Sequence, residues 1–545
     1  MKTRSYLAPL ALALSLAPTA DAQVPVVQRL DLDPAGLVGD GDCFQATISS
    51  DGSHVAFAST STNLVPGQVG AVGTWNLFVR EVRTGTTVQA NLDSAGAAMQ
   101  LDAIQGAFPR PNMSLSGDGR YVVFVTPIGD PLFGDTNNQA DVYRRDLQTG
   151  RTELVSVGMD DKPTQSSLAS YPTISEDGRY VAFSGFGKEF AIGATTGPIG
   201  TNQAYVRDLA TGYTELITRP GSWPFSGEQC AQLALSGDGQ RVAVIVANNA
   251  GGPHELSLVD RVTGVRTDFG PITQGTVFGA TPTLSIDRTG SRIVFDSELN
   301  NLVVGDVDND NDVFVVETAT GVISQVNLAT GGVGTPLEAH YGTISPDGRY
   351  ASFEGYGTGY SATMALPEWH VFLHDLESGL TTLGSISHAG HPGTALTTPA
   401  AKTFTTRALS EDAGQLAYTS NFTNLAGTPT PGAFGAFVLD RNRGASLRVT
   451  NLVAGGTATV EVGHATGSGA VLVAFSVTGQ GPIASTWGLI DLSPPLHTHH
   501  VAVDTSGVGS VPVTVAGLPA GQEVWAQGLD ILSFELTNAW YGKVQ

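Results

Sequence analysis

The sequence predicts an all-β fold: a seven-bladed β-propeller followed by a small C-terminal β-sandwich. Three observations predict it. A short motif recurs seven times at wide, regular spacing. Alternating apolar runs are punctuated by Asp-Gly and Thr-Gly turns. The 545 residues include 67 Gly and 29 Pro, with only 14% charged and 41% hydrophobic, which suits many short strands around a buried core.

The motif is an apolar residue followed by Ser-x-Asp. It reads Ile48-Ser49-Ser50-Asp51, Leu115-Ser116-Gly117-Asp118, Ile174-Ser175-Glu176-Asp177 and Leu235-Ser236-Gly237-Asp238. It continues as Leu284-Ser285-Ile286-Asp287, Ile344-Ser345-Pro346-Asp347 and Leu409-Ser410-Glu411-Asp412. Gly follows at once in five copies, because the turn needs positive φ and Asp bonds its own backbone. A strand then ends in an aromatic at Phe57, Phe124, Phe183, Phe295, Phe353 and Tyr418, with Val244 in the fourth copy. A later strand ends in an acid, followed in most copies by Thr-Gly, as in Asp146…Thr149-Gly150. Four short strands cannot bury both faces alone, and stacking seven such units in a ring does so.

The run Ile174-Ser175-Glu176-Asp177-Gly178-Arg179-Tyr180-Val181-Ala182-Phe183 resembles the TolB-type, WD-like β-propeller repeat of bacterial exported proteins. The Gly-Asp-x-Asn…Asp-Val-Tyr pattern at 134–143 resembles it too. The resemblance covers roughly 24–450 and implies a propeller and a binding role. Nothing matches the separate N-terminal α/β domain of TolB, so a Tol-Pal role is not carried over.

Ring closure is also legible. Leu32-Asp33-Pro34-Ala35-Gly36 matches Leu92-Asp93-Ser94-Ala95-Gly96, which follows the fourth strand of the first copy. An outer strand therefore precedes the first repeat, and residues 24–32 are expected to complete the last blade. The expected domains are a signal peptide at 1–22, the propeller at 23–450 and the sandwich at 451–545. Lys2 and Arg4, the apolar run from Tyr6 to Pro18 and Ala20-Asp21-Ala22 have the form of a secretory signal. An exported protein is expected, periplasmic, extracellular or held at the cell surface, with no membrane insertion.

A formal charge of −23 argues against nucleic acid. The chain shows no complete Gly-x-Ser-x-Gly elbow, no Walker motif and no dinucleotide fingerprint, and no catalytic residue is assigned. Cys43 and Cys230 both fall six residues before an anchor Ser, on nearly opposite blades, so two free thiols are expected.

The strands of each unit, a to d in order, place the a–b and c–d turns at one end. The variable b–c and d–a loops lie at the other, where function is expected. Two groups there carry chemistry. Asp306, Asp308, Asp310 and Asp312 alternate as oxygen ligands for calcium would, and Asp135, Asn137 and Asp141 form a weaker version. An EF-hand is excluded, since Glu317 lies about 17 Å along a strand and Asn311 stands at the sixth position. The alternative reading is a solvated polar turn. His340, His370, His388 and His391 cluster around the sixth copy and could bind a metal or switch on protonation; exposed loop histidines are the plainer reading. His497, His499 and His500 point alternately along a strand and read as surface.

These features lead to an exported, monomeric, non-catalytic scaffold that recognises a protein or glycan on the b–c/d–a loop face. A metal-assisted glycan lyase or hydrolase at the propeller mouth is the alternative, and a structural cell-surface component a third.

Overall fold

The computed structural model describes residues 26–101, 113–164, 169–186, 189–191, 202–218, 228–248, 253–273, 283–306, 310–328, 338–356, 369–385, 401–402, 408–422, 425, 434–441, 446–450, 457–463, 470–477, 483–485, 488–490, 497–502, 509–514, 519, 522–530 and 540–543. The chain divides into a compact unit at Pro25–Arg441 and a second that takes in Asn442–Gln545.

The first unit is seven antiparallel sheets of four strands. Blade 1 is Cys43–Ile48, His54–Ser59, Asn76–Glu81 and Thr87–Gln89. Blade 2 is Met113–Leu115, Tyr121–Thr126, Asp141–Asp146 and Thr152–Leu154. Blade 3 is Ser170–Ile174, Tyr180–Gly185, Gln203–Asp208 and Tyr213–Leu216. Blade 4 is Glu228–Leu235, Arg241–Asn248, His254–Asp260 and Arg266–Pro271. Blade 5 is Leu284–Ile286, Arg292–Ser297, Asp312–Glu317 and Val322–Gln325. Blade 6 is Ala339–Ile344, Tyr350–Tyr356, Trp369–Asp375 and Leu380–Leu383. In blade 7, Ala401–Lys402, Gln415–Ser420 and Gly435–Asp440 are completed by Val26–Arg29, which pairs with Gly435–Asp440 from Val26↔Asp440 to Arg29↔Phe437.

The repeat motif explains how each blade folds. In blade 3 Ser175 Oγ donates to Asp177 Oδ1 (2.6 Å), which also accepts the Arg179 amide (2.9 Å), while the Tyr180 amide returns to Ser175 Oγ (2.9 Å). The Ser and Asp of the motif therefore fix the turn. The next residue, Arg, is bidentate to the acid that ends strand c: Arg120 to Asp146, Arg179 to Asp208 and Arg349 to Asp375. The following Tyr stacks under guanidinium groups, Tyr180 between Arg179 (4.8 Å) and Arg261 (4.6 Å). Gly239 of blade 4, at φ +71°, lies against the Tyr180 ring so closely that a Cβ would overlap it. The motif thus joins blades as well as closing a turn.

In blade 5 the register differs from the expected one. Asp287, not Ser285, makes the amide bond that the anchor Ser makes elsewhere, donating its N–H to Arg292 O (3.2 Å). Asp287 Oδ1 then accepts the Ser291 amide (2.8 Å), so the acid has moved two places and replaces the Ser. Gly290 takes the usual Gly place at φ +71°, and in blade 7 Ala413 does so at φ +50°.

Between blades, apolar faces interlock: Phe124 and Tyr143 of blade 2 pack with Ala56, Ala58, Leu77 and Val79 of blade 1. At the turn end a ring of backbone bonds closes on itself. Asp51 N donates to Gly117 O, Gly117 N to Glu176 O, Glu176 N to Gly237 O and Asp238 N to Arg288 O. Arg288 N donates to Pro346 O, Asp347 N to Glu411 O and Glu411 N to Ser50 O.

In the second unit Ser446–Thr450 pairs with Thr457–Gly463, which pairs with Gly509–Thr514. The boundary therefore falls after Arg441 rather than at 450. A further four-stranded sheet runs His497–Ala502, Ala470–Ser476, Glu523–Asp530, Trp540–Lys543, and Ile483–Ser485 pairs with Gly488–Ile490.

Candidate functional site

The turn end is bridged across its axis. Arg288 of blade 5 donates through Nε to Glu176 Oε2 of blade 3 (2.5 Å) and through Nη1 to Glu411 of blade 7. Ser50 of blade 1 donates to Glu176 Oε1 (2.9 Å). Each partner skips an intervening blade, so this chain of side chains spans the central opening. Beside it, Ile174, Leu235, Ile286 and Ile344 line a small cavity.

At the loop end, the residue six before the acid of strand c holds a special place. In four blades its carbonyl accepts an amide from the start of the next blade, whereas Trp75 O takes Leu101 N (3.2 Å) of the loop ahead of blade 2 and His254 O takes Ile272 N (2.8 Å) of its own blade. Phe434 O accepts from Cys43 N and Ala140 O from Ala169 N, both at 2.7 Å. Asn202 O takes Cys230 N and Asn311 O takes Ala339 N, both at 2.7 Å. In those four blades the bond ties the position to the next blade. Round the ring from blade 1 the residues are Trp75, Ala140, Asn202, His254, Asn311, Trp369 and Phe434. Half-buried aromatics thus stand on three consecutive blades, 6, 7 and 1, and the other four carry small or polar groups. Trp75 is joined by Phe44 (ring centroids 6.1 Å). Trp369 is joined by His340 (5.3 Å) and Tyr356 (5.5 Å).

His340 belongs to this rim. Asn311 Nδ2 donates to Ala339 O (3.0 Å) and lies 2.8 Å from His340 Nδ1, which makes Nδ1 the acceptor. The ring proton then sits on Nε2, 3.1 Å from Glu338 Oε1. His370 is elsewhere: it is buried, its Nδ1 meets Ser385 Oγ (2.9 Å), and its ring stacks on Phe422 (5.0 Å). Burial holds its imidazole down to about 4. The two histidines share no partner among these contacts. His388 and His391 lie outside the described residues.

In the aspartate loop, Asp306 and Asp312 are buried, Asp310 is exposed, and Asp308 lies outside the described residues. Asp312 accepts from Asn327 Nδ2 (2.5 Å), and its blade-2 counterpart Asp141 from Ser156 Oγ (2.6 Å). Asp135 accepts the Tyr143 hydroxyl (2.9 Å). Among the described residues no three His, Cys, Asp or Glu side chains come together as a metal site. Cys43 and Cys230 are buried free thiols, and burial raises both above the ordinary thiol range. In the second unit His499 packs edge-on to Phe475 (5.7 Å).

Two carboxylates escaped the sequence reading. Asp296 and Glu354 follow the aromatic of strand b, where the other blades carry Ala58, Val125, Ser184, Ile245 and Thr419. Both are buried. Asp296 accepts the amides of Tyr341 (2.7 Å) and Gly342 (3.0 Å). Those residues form a bulge in strand a of blade 6, with Tyr341 at φ +57°. Burial raises the Asp296 carboxyl, and burial followed by the charges of Glu354 and Asp296 raises the Tyr341 phenol well above its usual range. The signal was an acid at a strand position that is uncharged in the other five blades.

A scan against family models gave no match, and neither did a search of curated proteins. Among solved structures the chain is similar to an oligogalacturonate lyase in complex with manganese, at 14% identity and TM-score 0.43, over 77% of this chain and 95% of that one. It is similar to the β-propeller domain of the Trilobed protease from Pyrococcus furiosus (10%, TM-score 0.37, 63% and 83%). It is also similar to a putative TolB from Agrobacterium tumefaciens (15%, TM-score 0.33, 67% and 97%). The chain's own strand pairing makes it a seven-bladed propeller, and TolB-like proteins are among its structural neighbours. No helix among the described residues is long and apolar enough to cross a membrane.

Proposed function

We propose that the chain is an exported, non-catalytic scaffold that recognises a protein or glycan at the loop end of its propeller. One observation carries the reading: among the seven residues that stand six before the acid of strand c at the loop end, aromatics occupy only one arc, on blades 6, 7 and 1. A ring built for stability alone has no reason to be lopsided there. The bridged turn end leaves the loop end as the accessible mouth.

A glycan array and capture from culture medium test the reading, run on the full chain, on Trp75→Ala with Trp369→Ala, and on a turn-end variant, Tyr213→Ser. Binding lost in the first variant and kept in the second supports it. Equal binding by all three contradicts it. N-terminal sequencing of exported material, expected to begin at Gln23, tests the secretory signal.

The buried acids Asp296 and Glu354 beside His340 and Tyr341 favour one second reading, a lyase or hydrolase at the same mouth. Turnover of a bound glycan, lost in Asp296→Asn, would replace the scaffold reading.

A further inference from the structure

We infer that the aromatic arc of blades 6, 7 and 1 binds an extended, uncharged oligosaccharide. The inference rests on the loop-end reading and names its ligand class. Trp369, Phe434 and Trp75 occupy one register on three successive blades, each half-buried. Packed sheets lie about 10 Å apart, so the three rings span roughly 20 Å. That distance suits a chain of several sugar units rather than one small molecule. Each ring offers a π face whose negative quadrupole attracts the polarised C–H faces of a pyranose. Tyr356, 39% exposed, and His340 widen the platform on blade 6, and Phe44 widens it on blade 1.

The polar groups around the arc fit hydroxyl donors. Glu338 flanks it on blade 6, with its side chain 44% exposed. Asp42 flanks it on blade 1 and also accepts the Phe434 amide (3.1 Å). The arc thus carries the two acids Glu338 and Asp42, in a chain of formal charge −23. A polyuronate would meet net repulsion; a neutral glycan would find acceptors. A peptide is the poorer fit. Extended peptides take backbone bonds from a free edge, but the carbonyls of Trp75 and Phe434 are already engaged by the amides of Leu101 and Cys43.

The test uses the full chain and four probes: cellohexaose, mannohexaose, maltohexaose and hexagalacturonate. Calorimetry and tryptophan fluorescence are the readouts. At least one neutral hexasaccharide should bind saturably. Trp369→Ala and Trp75→Ala should each weaken it about tenfold, the scale of one lost stacking contact. Trp369→Phe should keep most of the affinity, and Tyr213→Ser all of it. Thermal melts matching the unmodified chain exclude misfolding, and Trp369→Phe covers any failure of the alanine variant.

Tighter binding of hexagalacturonate, no binding of any neutral probe, or binding indifferent to all arc variants would overturn the inference. If no sugar binds, yet the arc variants abolish capture of a protein that Tyr213→Ser still captures, the ligand class is wrong and the loop-end reading stands. If a sugar binds and only Tyr213→Ser weakens it, both fall.

Discussion

Arg288 and Glu176 meet at 2.5 Å across the propeller axis, although they belong to blades 5 and 3. The same guanidinium reaches Glu411 of blade 7, and it is held charged by these carboxylates. Three blades therefore share one cation. Arg288→Ala leaves Glu176 and Glu411 facing each other without it. The side chains are 33% and 19% exposed for Arg288 and Glu176, so solvent screens part of the loss, and about 1–2 kcal/mol is expected. A lowered urea midpoint for the propeller transition checks this, and Glu176→Gln in the same chain should recover part of it.

The glycines divide into two kinds. Gly178 sits at φ +74° against the Tyr121 ring, whereas Gly264 sits at φ +70° with open space around it. Gly264→Ala should cost only the backbone strain, about 1 kcal/mol. Gly178→Ala should add a clash at a blade junction and cost roughly 2–4 kcal/mol. Equal melting shifts for the two variants would refute the role given to the junction.

Acid should unfold the propeller in two stages. Burial lowers His370 from 6.5 to about 4, so the unfolded chain binds a proton there that the fold resists. That stability is full above pH 6.5 and is lost as pH falls towards 4. His370→Gln should flatten this slope, in part only, because burial lowers His254 and His374 too. Below it, Arg120 and Arg179 hold Asp146 and Asp208 at about 2, so their contribution is present above 3.8 and disappears as pH drops through 2. Denaturant titrations from pH 7 to pH 2 read both stages.

Ring closure rests on a buried ion pair. Arg29 donates to both oxygens of Asp31 (2.9 and 2.8 Å), with side chains 5% and 0% exposed. Asp31 also accepts the Ala436 amide of strand c (3.2 Å), and Arg29 lies over the Phe437 ring (5.6 Å). Arg29→Met strands a buried carboxylate and should cost about 3–5 kcal/mol. Arg29→Met with Asp31→Asn should cost much less, as read by thermal melting.

Much of this architecture was legible because each repeat restates it. Ser-x-Asp-Gly-Arg-Tyr encodes a turn, an ion pair to strand c and a stacking surface for the next blade, all within one local run. Asp33 and Asp93 each accept two amides of a matching loop, Ala35 and Leu37 in one case and Ala95 and Ala97 in the other, which is why the N-terminal strand could be placed. Blade 5 misled because Ser285 imitates the anchor two residues early; its hydroxyl instead accepts the Ile344 amide of blade 6 (3.1 Å). The aromatic arc was missed for a different reason. Trp75, Trp369 and Phe434 are far apart in sequence, each six residues before the acid of strand c, and only the order of the blades round the ring brings them into one arc. His340 and His370 looked alike in sequence, yet one stands on the rim and the other is packed under Phe422.

Hydroxyl-radical footprinting of the full chain, with and without the neutral hexasaccharide panel, tests the loop-end account most directly. Protection of Trp75, Trp369 and Tyr356, with Tyr213 and Val262 unchanged, is the expected result. Protection at Tyr213 and Val262, or within Asn442–Gln545, with the three rim aromatics still fully reactive, would contradict it.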